Sequence, residues 1–556
     1  MKYRFIVLIY CFLCFGQMQA NGQVSERIYL QTDKQLYLSG ELLWLKLYTT
    51  DTEGKLLSLS KIGYVELIGD SIPEVQVKID IYDGTGAGWM ELPAMLPTGY
   101  YRMIAYTRFM RNEGENVYFE KRIAIVNPVS QNNTFYTDGA VTSFSIQTME
   151  TGQSTPEVSI DKSSYTTRDK GEIRIKGLPA ENLSIGVSIT GAEPALTSNP
   201  TIHDWKNQLH GNNIPFESLR FLPEYEGAII DGVLIDLETG APARSPDVTN
   251  LLSFPGHEIQ LFSGQMNTNG DVTFYTQCIA GKQELSTTAI TSSGKKYRID
   301  IQSPYAVHSP TKQPFINPDS TWLDYLQDRN LSLQVSHAYI VDSLNRIRAI
   351  TPCTNYSPYK RYVLDEYTRF PNMREVFIEF IAFASIRRTG EGQRFSLTNE
   401  MRTAESTNIL VLLDNIPVAE HELMINYNPL LIKTIDLHVG YFSFGDQLFE
   451  GIISFYSYNN KFPGITFSET TQIYDYEGTQ PYRLFYAPAY NEKNESLRLP
   501  DFRHTLLWEP LIQSNRQNEL IIPFTTSDNT GSHIITVEGI GKNGTVIQAN
   551  RTFEVR

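Results

Sequence analysis

Two His-Glu pairs are the first places to look for a metal. In a helical His-Glu-x-x-His stretch, two imidazoles four residues apart meet one zinc ion and the Glu serves as general base. His257-Glu258 and His421-Glu422 each open that pattern, but the closing positions are Leu261 and Ile425, so the second ligand is missing. Both are read as surface histidines. Asp83-Gly84-Thr85-Gly86-Ala87-Gly88 has the glycine density of a phosphate-cradling loop. It lacks the third glycine of GxGxxG and the Lys of a P-loop, and no helix follows, so it is read as a turn. No GxSxG elbow occurs. A Ser-His-Asp triad is not decided by spacing alone, and 62 carboxylates make any paired-acid pattern uninformative without geometry. His203, Trp205 and His210 lie in a stretch without periodicity, 197–226, and are read as loop residues rather than ligands. The sequence therefore assigns no catalytic, cofactor-binding or metal residue, and no cofactor.

The elements that would carry any site are exported ones. Lys2 and Arg4 precede an apolar run from Phe5 to Phe15, too short for the roughly 20 residues of a spanning helix, which predicts a signal peptide over 1–22. Cleavage after Gly22 satisfies the small-residue rule; bulky Tyr10 and Leu13 before Cys11 and Cys14 argue against lipidation. No later stretch offers 18 uninterrupted apolar residues. Past the signal only Cys278 and Cys353 remain, and their separation leaves a disulfide and two free thiols equally open. A formal charge of −15 repels phosphate backbones, so nucleic acid is excluded as a partner. With 556 residues, 32 Tyr and 28 Phe, and short Thr- and Ile-rich runs between Gly, Pro, Asn and Asp clusters, the chain reads as several mostly β domains.

Thr32-Asp33-Lys34-Gln35-Leu36-Tyr37-Leu38-Ser39-Gly40-Glu41 opens the first module, 25–127. Val65 to Ile68 and Val75 to Ile81 alternate as half-buried strands do, and Leu96-Pro97-Thr98-Gly99-Tyr100-Tyr101 leads into a closing hairpin. These two ends resemble the domain that opens the bait-bearing half of α2-macroglobulin-like proteins, in the form common in Bacteroidota envelope proteins. The resemblance implies protein binding or scaffolding. Asp161-Lys162-Ser163-Ser164-Tyr165, then Gly171-Glu172, repeats the order and predicts a second sandwich over 130–225. Both copies are read as fold-building. The macroglobulin thioester requires Cys-Gly-Glu-Gln; Cys278-Ile279-Ala280-Gly281 and Cys353-Thr354-Asn355-Tyr356 do not supply it.

Ile229 to Asp236, Thr239-Gly240-Ala241-Pro242 and Thr268 to Phe274 resemble a carboxypeptidase-regulatory-like sandwich, expected over 226–305 and without peptidase activity. Pro371 and Asn372 precede Met373, Val376, Phe377, Phe380 and Ile381 at helical spacing, which predicts a short amphipathic helix. Ile409 to Val418, Asn428 to Leu437 and Glu450 to Phe455 resemble the plug of TonB-dependent receptors, expected over 318–460, with Asn415 where that family prefers Gly. A 22-strand barrel needs over ~200 residues, and 96 follow Asn460, so the plug is expected without a barrel. Those 96, with Trp508, Phe524 and Val537-Glu538-Gly539, predict a C-terminal sandwich over 461–556.

The expected fold class is mostly β, tandem immunoglobulin-like/macroglobulin β-sandwiches plus a small α+β plug-like domain. The expected function is a non-enzymatic cell-envelope scaffold, periplasmic or associated with the outer membrane. Its partner would be an envelope protein such as an outer-membrane transporter or secretion component. One alternative is a protease-binding inhibitor without thioester, whose bait would fall in 197–224. The other is a glycan- or peptide-acting enzyme using aromatic platforms, though Tyr and Phe in this number are more simply β-core.

Overall fold

The computed structural model describes residues 25–129, 156–193, 199–211, 218–256, 259–291, 293–314, 316, 320–339, 356–390, 392–398, 404–445, 447–488, 490 and 499–556. The signal peptide, His257 and Cys353 lie outside them. The chain is mostly β, and its described residues form two units: one draws on those within 1–225, 307–349 and 479–556, the other on those within 226–306 and 350–478.

The first unit contains two sandwiches. In the N-terminal one, Arg27–Thr32, Leu42–Thr50 and Thr85–Glu91 form one layer. Leu36–Leu38, Phe119–Val126, Gly99–Tyr106, Ile62–Ile68 and Pro73–Asp80 form the other, in that spatial order. All pairings are antiparallel except Leu36–Leu38 with Phe119–Val126. Leu30, Leu45, Leu47, Val65, Ile79, Met103 and Ile123 fill the core, each fully buried side chain contributing about 1.5–3 kcal/mol. Asp83 (φ 48°) and Gly84 (φ 76°) make the tight turn that the glycine-rich run was read as. Ile62–Ile68 is buried along its whole length rather than half-buried, because its polar face is covered too: Glu66 meets His308 and Tyr106.

The second sandwich draws on distant parts of the chain. Glu157–Ile160, Lys170–Lys176 and Glu519–Thr525 make one layer; Thr505–Gln513, Leu183–Gly191, Gly531–Gly541 and Val546–Val555 make the other. Two sandwiches were expected, over 130–225 and 461–556; their strands instead pair with each other in one. Neither half closes a core alone: Ile173, Ile175, Ile185 and Val187 pack on Leu506, Ile535, Val537 and Ile547.

The helix Ser320–Tyr339 also belongs to the first unit rather than to the plug-like region expected over 318–460. Trp322, Tyr325, Leu326 and Leu333 form a stripe at helical spacing that packs with Leu36, Leu38, Tyr100, Ala124 and Val126. The stretch read as a loop around Trp205 holds a helix, Ile202–Asn207, started by a capping box between Thr201 and Asp204. Trp205 is not a loop residue but core, 5.2 Å from Tyr29.

In the second unit, seven strands run in the order Tyr297–Ile301, Ile229–Asp236, Asp271–Tyr275, Leu261–Met266, Val248–Ser253, Lys282–Thr291, Thr471–Glu477. The last lies beyond the expected limit at 305. Next to them sits an α+β region. Its main sheet is ordered Lys360–Val363, Ile432–Phe444, Gln447–Ser457, Leu410–Leu413, Ile416–Pro417, with Leu410–Leu413 parallel to Gln447–Ser457. The helix expected after Pro371 and Asn372 spans Met373–Glu379; the Asn372 side chain accepts from the Glu375 N–H, and Met373, Val376 and Phe377 are buried. Leu410, Leu412, Phe444 and Phe449 share a core with Leu251, Ile259 and Leu261 of the seven-stranded part.

Candidate functional site

The repeated Asp-Lys-x-x-Tyr is a structural motif with a defined geometry. Asp33 Oδ1 accepts from the Tyr37 hydroxyl at 2.8 Å and from the Trp44 N–H at 3.1 Å. Asp161 Oδ1 accepts from the Tyr165 hydroxyl at 2.7 Å and from the Glu172 N–H at 2.7 Å. The two copies agree at offsets of four and eleven residues, and in each the Lys ammonium lies over the Tyr ring, at 4.4 and 5.3 Å. The Gly-Glu pairs do not correspond. Gly40 is in the left-handed region (φ 90°), whereas Gly171 sits inside a strand where a Cβ would strike the Phe524 and Tyr165 rings at 2.6 Å.

Around the first copy the motif becomes a buried ion cluster. Lys34 Nζ lies 3.3 Å from Asp33 and 3.4 Å from Glu41, and Arg329 binds Glu41 at 2.7 Å and reaches Glu193 at 3.4 Å. His504 faces Glu193 at 3.4 Å. Burial pushes the Glu41 carboxyl up, but Arg329 and Lys34 outweigh it and hold it at about 2. Burial dominates at Glu193, which is raised, and at His504, which is lowered well below the usual imidazole range. The charges offset one another, while Glu41 Oε2, Arg329 Nε and His504 Nε2 are buried without a hydrogen bond among the described residues.

Lys46 Nζ lies 2.9 Å from Ser184 Oγ, the distance of a Ser-Lys nucleophile pair. Burial lowers the Lys46 ammonium well below its ordinary value, as activation would require. Yet Lys46 is 0% exposed and Ser184 1%, beneath Tyr48, whose ring the ammonium touches at 4.2 Å. No substrate reaches this hydroxyl. Glu538, raised by burial, and Lys121, lowered to about 8 by burial, complete the same interior. His308 is likewise a cross-brace, with Nε2 2.7 Å from Glu66 and Nδ1 3.2 Å from Glu115.

In the second unit the surface histidine expected at position 421 is buried. His421 Nδ1 accepts the Phe395 N–H at 3.1 Å, and burial lowers the ring to about 4. A neutral imidazole that satisfies a strand N–H explains why an apolar site keeps a His. Asp414 (φ 49°) and Asn415 (φ 71°) form the two-residue turn between Leu410–Leu413 and Ile416–Pro417. That backbone favours Gly, and Asn is the next best side chain. Asp414 accepts from the Ser457 N–H, the Ser457 hydroxyl and the Phe462 N–H at 2.6–2.8 Å. Asn415 donates to the Gly256 carbonyl at 2.8 Å. Cys278 is in a disulfide; its partner lies outside the described residues.

The described parts of the bait candidate are docked rather than projecting. The His210 carbonyl accepts from Arg27, Asn112 binds the Phe221 carbonyl and the Arg220 N–H, and Glu224 is buried against the Tyr64 hydroxyl. Residues 212–217 lie outside the description. A pocket of about 300 Å³ is lined by Leu56, Tyr82 and Asp83 of the first sandwich and by Asn182, Leu511 and Lys542 of the second, and gathers no convergent catalytic groups. Among the described residues no three His, Cys, Asp or Glu side chains group as a metal site, and no helix is long and apolar enough to cross a membrane.

The remaining candidates are strand edges, whose unpaired N–H and C=O groups accept an added strand. Several edges of the first unit are covered. The helix Ser320–Tyr339 and Glu193 Oε2, which accepts the Gln35 and Leu36 N–H groups, close Leu36–Leu38. Gln480 bonds to Lys78 and Trp89 across Pro73–Asp80 and Thr85–Glu91, and Arg483 lies over Trp89 at 4.7 Å. Pro523 interrupts Glu519–Thr525. In the second unit Thr471–Glu477 ends its sheet with neither device.

No family model matches the chain, and no curated protein matches it. Among solved structures it is similar to Salmonella alpha-2-macroglobulin reacted with methylamine, at 10% identity and TM-score 0.24, covering 96% of this chain and 39% of that one. It is also similar to Escherichia coli alpha-2-macroglobulin activated by porcine elastase, at 10% identity and TM-score 0.25, covering 96% and 44%. The Escherichia coli adhesin FdeC matches at 11% identity and TM-score 0.16, over 53% of this chain and 64% of that one. The chain spans less than half the length of these macroglobulins.

Proposed function

We propose that this protein is a non-enzymatic scaffold of the cell envelope that grips another envelope protein through strand edges and loops. The observation that carries this reading is where the chemically capable side chains sit. Lys46, Ser184, Arg329, His421 and Asp414 are buried and Glu41 half-buried, all bonded to one another or to backbone, so they hold layers together. Export rests on the charged, apolar start of the sequence, and the net charge of −15 disfavours phosphate-bearing partners. An outer-membrane transporter or secretion component is the partner class proposed. The test is capture: purified full-length protein, cross-linked in envelope extract, is expected to retain one protein stoichiometrically. Turnover of a peptide or glycan substrate, abolished by one point substitution, would overturn the reading.

The alternative, a protease-binding inhibitor of macroglobulin type, needs an accessible cleavable stretch. The described parts of the 197–224 candidate are held by bonds to Arg27, Asn112 and Tyr64, which does not favour this reading. A protease that cuts elsewhere first and is not retained after cutting removes this alternative.

A further inference from the structure

The strand Thr471–Glu477 pairs with Lys282–Thr291 on one side and ends its sheet on the other. Which of its backbone groups face outward follows from two flanking bonds. The Ala289 N–H donates to the Thr470 carbonyl, and the Gly478 N–H to the Gly281 carbonyl. Bonded and non-bonded pairs alternate along an antiparallel ladder. The bonded pairs are therefore Thr287 with Gln472, Leu285 with Tyr474 and Gln283 with Tyr476. The N–H and C=O of Ile473 and Asp475 point away, along the open edge, and among the described residues no backbone group meets them. Ile473 is 37% exposed there.

The side chains on this edge are arranged against the sheet's own interest. Asp475 stands directly opposite Glu284, in a non-bonded pair, the register that brings facing side chains closest. Like charges in that position destabilise a sheet. Both are exposed, and among the described residues neither carboxylate has an ion-pair partner. Acidic residues at an edge commonly serve only to stop strands of the same kind from pairing. That purpose is met by Asp475 and Glu477 alone; setting Glu284 against Asp475 adds a cost that a cation relieves, and Lys282, the cation on the same face, stands opposite Glu477 and makes no ion pair with Glu284 or Asp475 among the described residues. A second copy is the wrong occupant, since two such edges would set carboxylate against carboxylate.

We propose that the outer edge of Thr471–Glu477 takes up an extended, basic segment of another protein as an added strand. Its backbone bonds to Ile473 and Asp475, and its Lys or Arg side chains, on alternate residues, neutralise Glu284 and Asp475. This rests on the scaffold reading and names the partner's chemistry for it.

The probe is a fluorescent peptide, Lys-Thr-Lys-Val-Lys-Thr-Lys, with its Glu-for-Lys analogue and a version with Pro at the centre, titrated against the full chain. Saturable binding of the first alone is expected. Ile473→Pro removes an outward N–H and no bond to the neighbouring strand, so the protein folds and its affinity falls about tenfold or more. Asp475→Lys is expected to weaken binding as much. Asp475→Thr weakens it too while raising the thermal midpoint of the free protein, because it relieves the opposition to Glu284. Circular dichroism verifies that each variant is folded. Binding that ignores Ile473→Pro, equal binding of the Glu analogue or of the Pro peptide, or no saturable binding at low salt overturns the proposal. If the last result comes while the chain still retains an envelope protein on cross-linking, only this edge assignment falls and the scaffold reading stands.

Discussion

The single side chain that says most about this molecule is Lys46, an amine with no exposure at all. Burial lowers its ammonium well below the ordinary value, and it lowers Lys121 to about 8. A base whose folded value is depressed binds fewer protons folded than unfolded, so stability rises with pH between the folded value and the unfolded one near 10.5. From pH 8 to 10 each such lysine adds up to about 1.4 kcal/mol per pH unit. Above that, buried tyrosines such as Tyr48, whose hydroxyl burial raises, reverse the trend. Thermal melts should therefore rise from pH 8 to 10, and Lys46→Met should both raise the midpoint at pH 7 and flatten the slope. An unchanged slope in the variant would mean that Lys46 is not the titrating group. Some of this scale was legible in sequence. The Asp-Lys-x-x-Tyr repeat and the Asp83-Gly84 turn are local: the Asp-to-Tyr and Asp-to-backbone bonds that define the repeat span four and eleven residues. His421 was not legible, because it opens a short helix and the N–H it satisfies belongs to Phe395, in a strand 26 residues earlier.

At the scale of elements, the helix Ser320–Tyr339 shows how a stripe escapes reading. Its buried face runs Trp322, Tyr325, Leu326, Arg329, Leu333, and the cation in the middle breaks the apolar period. That cation is what fixes the helix. Arg329→Ala leaves Glu41 buried without its closest partner and should cost about 3–5 kcal/mol in urea unfolding of the first unit. Adding Glu41→Gln to Arg329→Ala should restore a large part of it, since the orphaned charge is then gone. If the double variant is no better than the single one, the helix is held by Trp322 and its apolar neighbours instead. The helix Met373–Glu379, by contrast, was readable from Asn372 and its spacing because cap and stripe both lie within ten residues. Strand edges belong to the unreadable class: whether Thr471–Glu477 is open depends on its pairing with residues almost two hundred positions earlier.

At the scale of the whole molecule, strand periodicity correctly announces β-layers and says nothing about which strands share a sheet. Leu183–Gly191 pairs with Thr505–Gln513 and Gly531–Gly541, so one predicted sandwich and another are halves of a single body. Truncation at 478 should therefore expose far more than it removes: limited proteolysis with mass spectrometry is expected to cut within 170–191, segments protected in the full chain. Continued protection there would show that the N-terminal half of that sandwich stands alone. Such long loops also slow folding, since closure entropy must be overcome before the pairing contributes.

The interleaving of the two units along the polypeptide bears on how an interaction is hunted. The first unit owns three separated stretches and the second owns two, so the backbone passes between them four times. Libraries of consecutive pieces, as in two-hybrid or display screens, would present half-barrelled, sticky fragments of either unit and return spurious hits. Bait for such searches has to be the intact polypeptide, or a spliced version in which short bridges rejoin each unit's own segments.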